Sequence, residues 1–327
     1  MVSKKWKNGL LSSSLPLEYE AARLLAHRGF WVDPDYAYTR EGSGVVKEFS
    51  VDIYAFDFYP FTDPDRVESQ LVLLVECKHR NPKRNWLFLR DPHPGESPFG
   101  SNTAVTLFDV FSPWRVSRKP LHRFDKLLAL AYKGVEVDID SGDVFDAELR
   151  RGLLQLQFAL PRAVASCTRD ALLGHLDDNK PFFISAILLT NARLLLARKT
   201  MSIDSVQDAQ SLDELASDVP FVRVHLPQGP ELREHCKREF SLLSGLENTP
   251  QVAALEKAVK ARGKNTLQKP ATALYFLRAG DLWPAGAGVL EQAIVCNLAA
   301  FDDLMTALRR AISSSMRHRI RIALEAA

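Results

Sequence analysis

The chain has 327 residues, 46% hydrophobic and 25% charged, which is the mix of a packed globular protein long enough for about two domains. That balance excludes a disordered chain, a collagen-like fibre and a coiled-coil rod. Lys and Arg number 42 against 40 Asp and Glu, a net charge of +2, so any contact with nucleic acid must come from a local patch.

In chain order, residues 16–28 read as a helix with Leu17, Ala21, Leu24 and Leu25 on one face, Ser14 and Pro16 at its start and Gly29 at its stop. Residues 45–58, rich in Val, Phe, Ile and Tyr, read as a strand. A polar, proline-containing loop at 60–68 follows. Residues 71–75 are then wholly apolar, as in a strand buried on both faces. Six prolines punctuate 81–120, leaving two short strands at 86–89 and 105–111. A helix is predicted over 146–168, kinked or divided at Pro161. A hairpin is predicted from 182–189 and 192–197, turning at Asn191. Beyond about residue 205 the chain reads as polar and then mainly helical, best at 251–261 and 288–311.

The four cysteines, Cys77, Cys167, Cys236 and Cys296, are far apart and form no C-x-x-C pair. A reduced, cytoplasmic setting is therefore expected over a disulfide framework or a zinc ribbon. Lys4, Lys5 and Lys7 are followed only by Leu10-Leu11 and then serines, which is no signal-peptide core. The longest apolar run, 182–189, is too short to span a membrane.

The informative constellation is Glu76-Cys77-Lys78 at the end of the 71–75 run. Alternation puts Glu76 and Lys78 on one face of the strand and Cys77 on the other. A carboxylate and an ammonium at the exit of an apolar strand are costly unless something pairs or uses them. Asp52, inside Phe49-Ser50-Val51-Asp52-Ile53-Tyr54-Ala55, is equally out of place in a β-rich segment. If the two strands pair, Asp52 and Glu76 come within reach of one cation. Phosphodiester hydrolysis needs such a set: Mg²⁺ or Mn²⁺ on Asp52, Glu76 and the Cys77 backbone carbonyl, with Lys78 orienting water or holding developing charge.

Asp52 followed by Glu76-x-Lys78, with an acidic helix upstream, resembles the PD-(D/E)xK nuclease superfamily. The closer likeness is to its Mrr-type restriction endonuclease branch, through Leu17-Glu18, Leu24-Leu25 and Gly29-Phe30 on the helix, Phe49 to Ala55, and Val72 to Arg80. The likeness covers about the first 90 residues. It departs at Val51, where the motif's name has Pro, and in the long spacer between Asp52 and Glu76. Spacing does not choose between Glu18 and Glu20 as the helix carboxylate; the resemblance favours Glu18. It extends weakly to Gln155 on the later helix.

The resemblance implies a restriction-endonuclease-like mixed sheet flanked by helices over residues 1–204, with a mainly helical extension over 205–327. It implies a metal-dependent endonuclease acting on DNA in defence or repair, with Glu18, Asp52, Glu76 and Lys78 catalytic and a homodimer plausible. The other reading is a non-catalytic module of the same fold that binds nucleic acid or protein. Residues 79–123 carry eight basic against three acidic side chains. His79, Arg80, Lys83, Arg84, Arg115, Arg118 and Lys119 are the expected phosphate contacts, whereas Trp86 and Phe88 are expected in the core.

Overall fold

The computed structural model describes residues 5–42, 44–59, 69–93, 103–108, 116–173, 181–250, 252–254, 257 and 291–325. Two helices, α1 (Lys5–Ser12) and α2 (Leu15–His27), precede three strands, β1 (Trp31–Gly42), β2 (Val45–Tyr59) and β3 (Ser69–Lys78). Next come β4 (Arg84–Arg90), β5 (Val105–Phe108), α3 (Lys119–Asp125), β6 (Ala129–Asp138), β7 (Val144–Phe145) and the long α4 (Ala147–Leu173). The second half holds β8 (Phe182–Thr190), β9 (Arg193–Ala197), α5 (Ile203–Asp208), α6 (Leu212–Leu215), β10 (Ala216–Asp218), β11 (Phe221–His225), α7 (Pro230–Phe240), β12 (Gln292–Asn297) and α8 (Phe301–Glu325).

The strands form one mixed sheet in the order β1-β2-β3-β8-β12-β11-β6-β4-β9-β10, with β5 beside the first half of β8 and β7 beside β6. β1, β2 and β3 are successive antiparallel neighbours, and β3 pairs with β8 in parallel across the α4 crossover. β8 and β12, β6 and β11, and β4 and β9 are parallel neighbours as well. Two residues separate β8 from β9, and five separate β3 from β4. The path from β8 through β12, β11, β6 and β4 therefore returns to the chain that left β8.

Leu71 to Val75 of β3 are fully buried, because helices cover both faces of the sheet. Val72 and Leu74 pack with α4 side chains such as Leu156 and Leu160. Leu71, Leu73, Val75 and Cys77 pack with Leu17, Ala21 and Leu25 of α2, Leu121 and Phe124 of α3, and Leu304, Met305 and Leu308 of α8. α2 ends as predicted: Gly29 has φ +88°, its N–H donates to the Ala26 carbonyl, and the Phe30 N–H reaches back to the Leu25 carbonyl.

Four sequence expectations need correction. The segments at 182–189 and 192–197 are strands but not a hairpin. β8 pairs with β3, β12 and β5, while β9 pairs with β4 and β10, because both segments are buried runs that seek partners on both edges. Residues 288–311 are not one helix: Ala293 to Cys296 is a short, β-branched, fully buried run that inserts as β12 between β8 and β11. The region after 204 is not a helical appendage, since β11 and β12 sit inside the same sheet as β3. Pro161 does not divide α4, which runs unbroken past it. Of the helix expected at 251–261, and of the loop at 60–68, most or all lies outside the described residues.

Trp86 and Phe88 are in the core as expected, and the four cysteines are buried free thiols. Among the described residues no helix is long and apolar enough to cross a membrane.

Candidate functional site

The site forms where β2 leaves β3. Their ladder runs from Tyr59 opposite Ser69 to Ile53 opposite Val75. One step further the same register would set Asp52 against Glu76. There the side chain replaces the backbone: the Cys77 N–H donates to Asp52 Oδ2 at 2.6 Å. Side-chain alternation along β2 also breaks at this point, with Val51 in the α4-side core and Ile53 in the α2-side core. Across from it, Asp35 of β1 takes a left-handed conformation (φ +52°). A kink shared by both strands thus turns the Asp52 carboxylate towards the end of β3.

Glu76 is fully buried on the α4 side, and its Oε1 accepts a hydrogen bond from Lys78 Nζ. Its Oε2 is buried without a partner. Burial pushes the Glu76 carboxyl up to about 7, and the neighbouring Asp52 carboxylate adds to the rise; Lys78 and the Asp52 amide oppose it. Glu18, in the first turn of α2, is also pushed up to about 7, by burial first and then by Asp52 and Asp35, with Lys78 opposing. The Asp52 carboxyl is raised as well, mainly by burial, against the Cys77 hydrogen bond and Lys78. Carboxylates here outnumber cations, and each charge makes the next costlier.

The surroundings hold the Glu76–Lys78 edge from several sides. Ser14 has φ +64° and does not cap α2; its Oγ accepts the His79 N–H at 2.9 Å. The Thr190 hydroxyl donates to the Lys78 carbonyl at 2.7 Å. Asn191 clamps Arg80, accepting its N–H at 2.6 Å and donating to its carbonyl at 2.8 Å. These side chains extend the β3–β8 ladder past the end of both strands. On α4, a methyl at Gly152 would stand 2.6 Å from Leu188 Cδ1 and 3.4 Å from Lys78 Cε, so glycine there leaves room for the lysine. One turn on, Gln155 Nε2 donates to the Ser50 carbonyl, two residues from Asp52, while its Oε1 is buried without a partner.

No protein-family model, curated protein or solved structure matches the chain.

The structure brings together Glu18, Asp52, Glu76 and Lys78, with Gln155 alongside. It separates Glu18 from Glu20, which is exposed and shares a groove with Arg23, His27 and Asp302. The expected phosphate contacts divide. Arg80 pairs with Glu136 at 2.7 Å and Glu148 at 3.3 Å, and its side chain is only 13% exposed. Arg84 pairs with Glu136 and Asp138, and Lys83 with Asp140. Glu136 is itself buried and also accepts the Trp86 indole N–H at 2.9 Å. Arg80 and Arg84 therefore build the fold, because β6 sets carboxylates beside them. His79 is partly exposed, its pKa lowered by burial and by Arg80. Arg118 and Lys119 are exposed at the start of α3 and make no ion pair among the described residues. Arg115 lies outside the described residues.

Asp35, Ser14, Gly152, Thr190 and Asn191 were missed from the sequence. The run Asp33-Pro34-Asp35, a turn-like tripeptide in a β segment, was the one local signal for the first. Among the described residues no three His, Cys, Asp or Glu side chains converge as a metal cage. The candidate cation ligands are two carboxylates and a backbone carbonyl.

Proposed function

We propose that the chain is a divalent-metal-dependent nuclease of restriction-endonuclease-like fold, cutting DNA through Glu18, Asp52, Glu76 and Lys78. The observation that carries this reading is the Asp52 carboxylate bound to the Cys77 amide. It joins two motif strands at an acid-rich point that also holds an ammonium. The residues present suit a divalent cation. Glu76 keeps an unpartnered buried oxygen, Asp52 commits only Oδ2, and the carboxyls of Glu18, Asp52 and Glu76, raised first by burial and further by neighbouring carboxylates, would be relieved by a cation placed among them.

Asp52, Glu76 and the Cys77 carbonyl would hold Mg²⁺ or Mn²⁺, which supplies charge neutralisation and a more acidic water beside the scissile phosphate. Hydrolysis then forms a bond from water oxygen to phosphorus and breaks one phosphorus–oxygen ester bond, the leaving oxygen taking a proton. Lys78, whose ammonium donates to Glu76, positions the attacking water and offsets charge building on the phosphoryl oxygens. Glu18 orders water from the α2 side. Gln155 fixes the Ser50 backbone and with it the approach of Asp52. Preference for DNA, a role in defence or repair, and pairing of two copies to cut both strands rest on the resemblance.

The test is plasmid cleavage with Mg²⁺ or Mn²⁺ by the wild type, Asp52→Ala and Lys78→Ala. Metal-dependent cutting that both substitutions abolish supports the reading. Equal cutting by all three means a contaminant. A salt-sensitive gel shift with no cutting under any condition replaces it with the binding module.

A further inference from the structure

Away from the candidate site, a cleft of about 660 Å³ opens at the ends of β4 and β9. The two strands are parallel neighbours, so their carboxyl ends, Arg90 and Ala197, lie side by side, and Arg90 Nε donates to the Ala197 carbonyl at 2.8 Å. The crevice outside the carboxyl ends of parallel strands is where α/β sheets hold ligands. The volume is that of a small-molecule site. Six steps along β4, roughly 20 Å at about 3.3 Å per residue, separate Arg84 from Arg90, so this cleft is distinct from the acidic site beyond the other end of the strand.

Its lining has two characters. Met201, Ile203 and Val206 form an apolar wall; Ile203 is 79% exposed and Val206 46%. Arg90, Arg198 and Lys199 supply three permanent cations, against one lining carboxylate, Asp91, which holds His93 Nδ1 at 2.5 Å. Lys199 is exposed and makes no ion pair among the described residues. An apolar wall facing a cationic rim suits a ligand that is flat and apolar at one end and anionic at the other. A bare phosphate would leave the wall wet and a fatty chain would leave the cations unmatched.

We propose that this cleft binds a nucleoside phosphate, its base against Met201, Ile203 and Val206 and its phosphate on Arg198 and Lys199. Asp91 and Ser202 complete the polar lining, Asp91 held by His93 and Ser202 Oγ accepting the Ser205 N–H. The same chemistry is offered by a free nucleotide and by the 5′-phosphorylated end of a strand. The proposal does not depend on nuclease activity.

The experiment is equilibrium binding to the full chain in chelator, so that nothing is cut. The probes are ATP, AMP, inorganic phosphate, and a short oligonucleotide with and without a 5′-phosphate. Binding of ATP or AMP at least ten times tighter than phosphate is expected. Lys199→Glu and Val206→Glu, both at exposed positions, should each weaken it about ten-fold, or by about 1.4 kcal/mol, with an unchanged circular dichroism spectrum. A 5′-phosphorylated oligonucleotide bound more tightly than both AMP and its unphosphorylated twin identifies the strand end as the ligand. Tighter AMP or ATP identifies the free nucleotide. No binding of any probe at millimolar concentration, phosphate bound as tightly as ATP, or binding untouched by both substitutions overturns the proposal.

Discussion

Asn191→Ala removes two hydrogen bonds, of 2.6 and 2.8 Å, that satisfy both backbone polar groups of Arg80, two residues past Lys78. A buried backbone group that loses its partner costs roughly 1–3 kcal/mol. Residue 80 is half-buried, so water recovers part of that, and a total near 2–4 kcal/mol is expected. Asn191→Asp keeps the acceptor and loses the donor, and should cost about half as much. Urea unfolding at constant m gives the magnitude through the midpoint shift. Amide hydrogen exchange gives the location: protection at residues 78–81 should fall about ten-fold or more, while amides in α7 stay unchanged. In plasmid cleavage the same variant should lower kcat more than it raises KM, because it loosens Lys78 without touching substrate. A midpoint within about 0.5 kcal/mol of wild type, together with unchanged protection at 78–81, would show that the clamp does not hold this edge.

The remaining expectations concern burial and charge. Glu76 has a folded pKa near 7 against 4.5 unfolded, so the native state holds the extra proton more tightly. In chelator, stability should therefore fall as pH rises from about 4.5 to 7, by up to about 3 kcal/mol, and level off above. Glu76→Gln should remove its share of that slope and leave the part that Glu18 supplies, and a wild-type profile that is level over this range contradicts the argument. Gly152→Val forces a side chain onto Leu188 and Lys78 and should cost about 1–3 kcal/mol in thermal unfolding and most of the cleavage activity; a variant with both unaltered means Lys78 does not depend on that gap. Glu136→Gln strips Arg80 and Arg84 of their shared carboxylate and should destabilise by about 3 kcal/mol, whereas Lys83→Ala, at an exposed pair, should move the urea midpoint hardly at all. If the two substitutions cost the same, Arg80 and Arg84 are not structural.

Much of the local structure was legible because it depends on neighbours in sequence. Helix α2 carries its apolar stripe, its proline start and its Gly29 stop within fifteen residues. β3 is recognisable from five consecutive aliphatic side chains, and Asp52 and the Glu76-x-Lys78 pair stood out as charges in places where strands rarely put them. β1 and β6 were not read because more than half of their side chains are polar or small, and β11 because Arg223 and His225 interrupt a segment of only five residues. The partners of β6 and β11, lying far away in the chain, are what make them strands, whereas β1 pairs with β2 directly after it. The β8–β9 error has the same origin: a two-residue connection looks like a hairpin turn until other strands claim both segments' edges.

The sequence alone thus determined which segments carry an apolar face and where charges interrupt them, since periodicity and desolvation cost are properties of short stretches. Only the tertiary structure decided that Glu18, and not Glu20, faces Asp52. It also showed that Asp35 belongs to the same acidic group, and that Arg80 and Arg84 are spent on Glu136. Those outcomes depend on strand register, on a kink shared by two strands and on which carboxylate a distant strand brings alongside. No spacing within one segment encodes a distance between two.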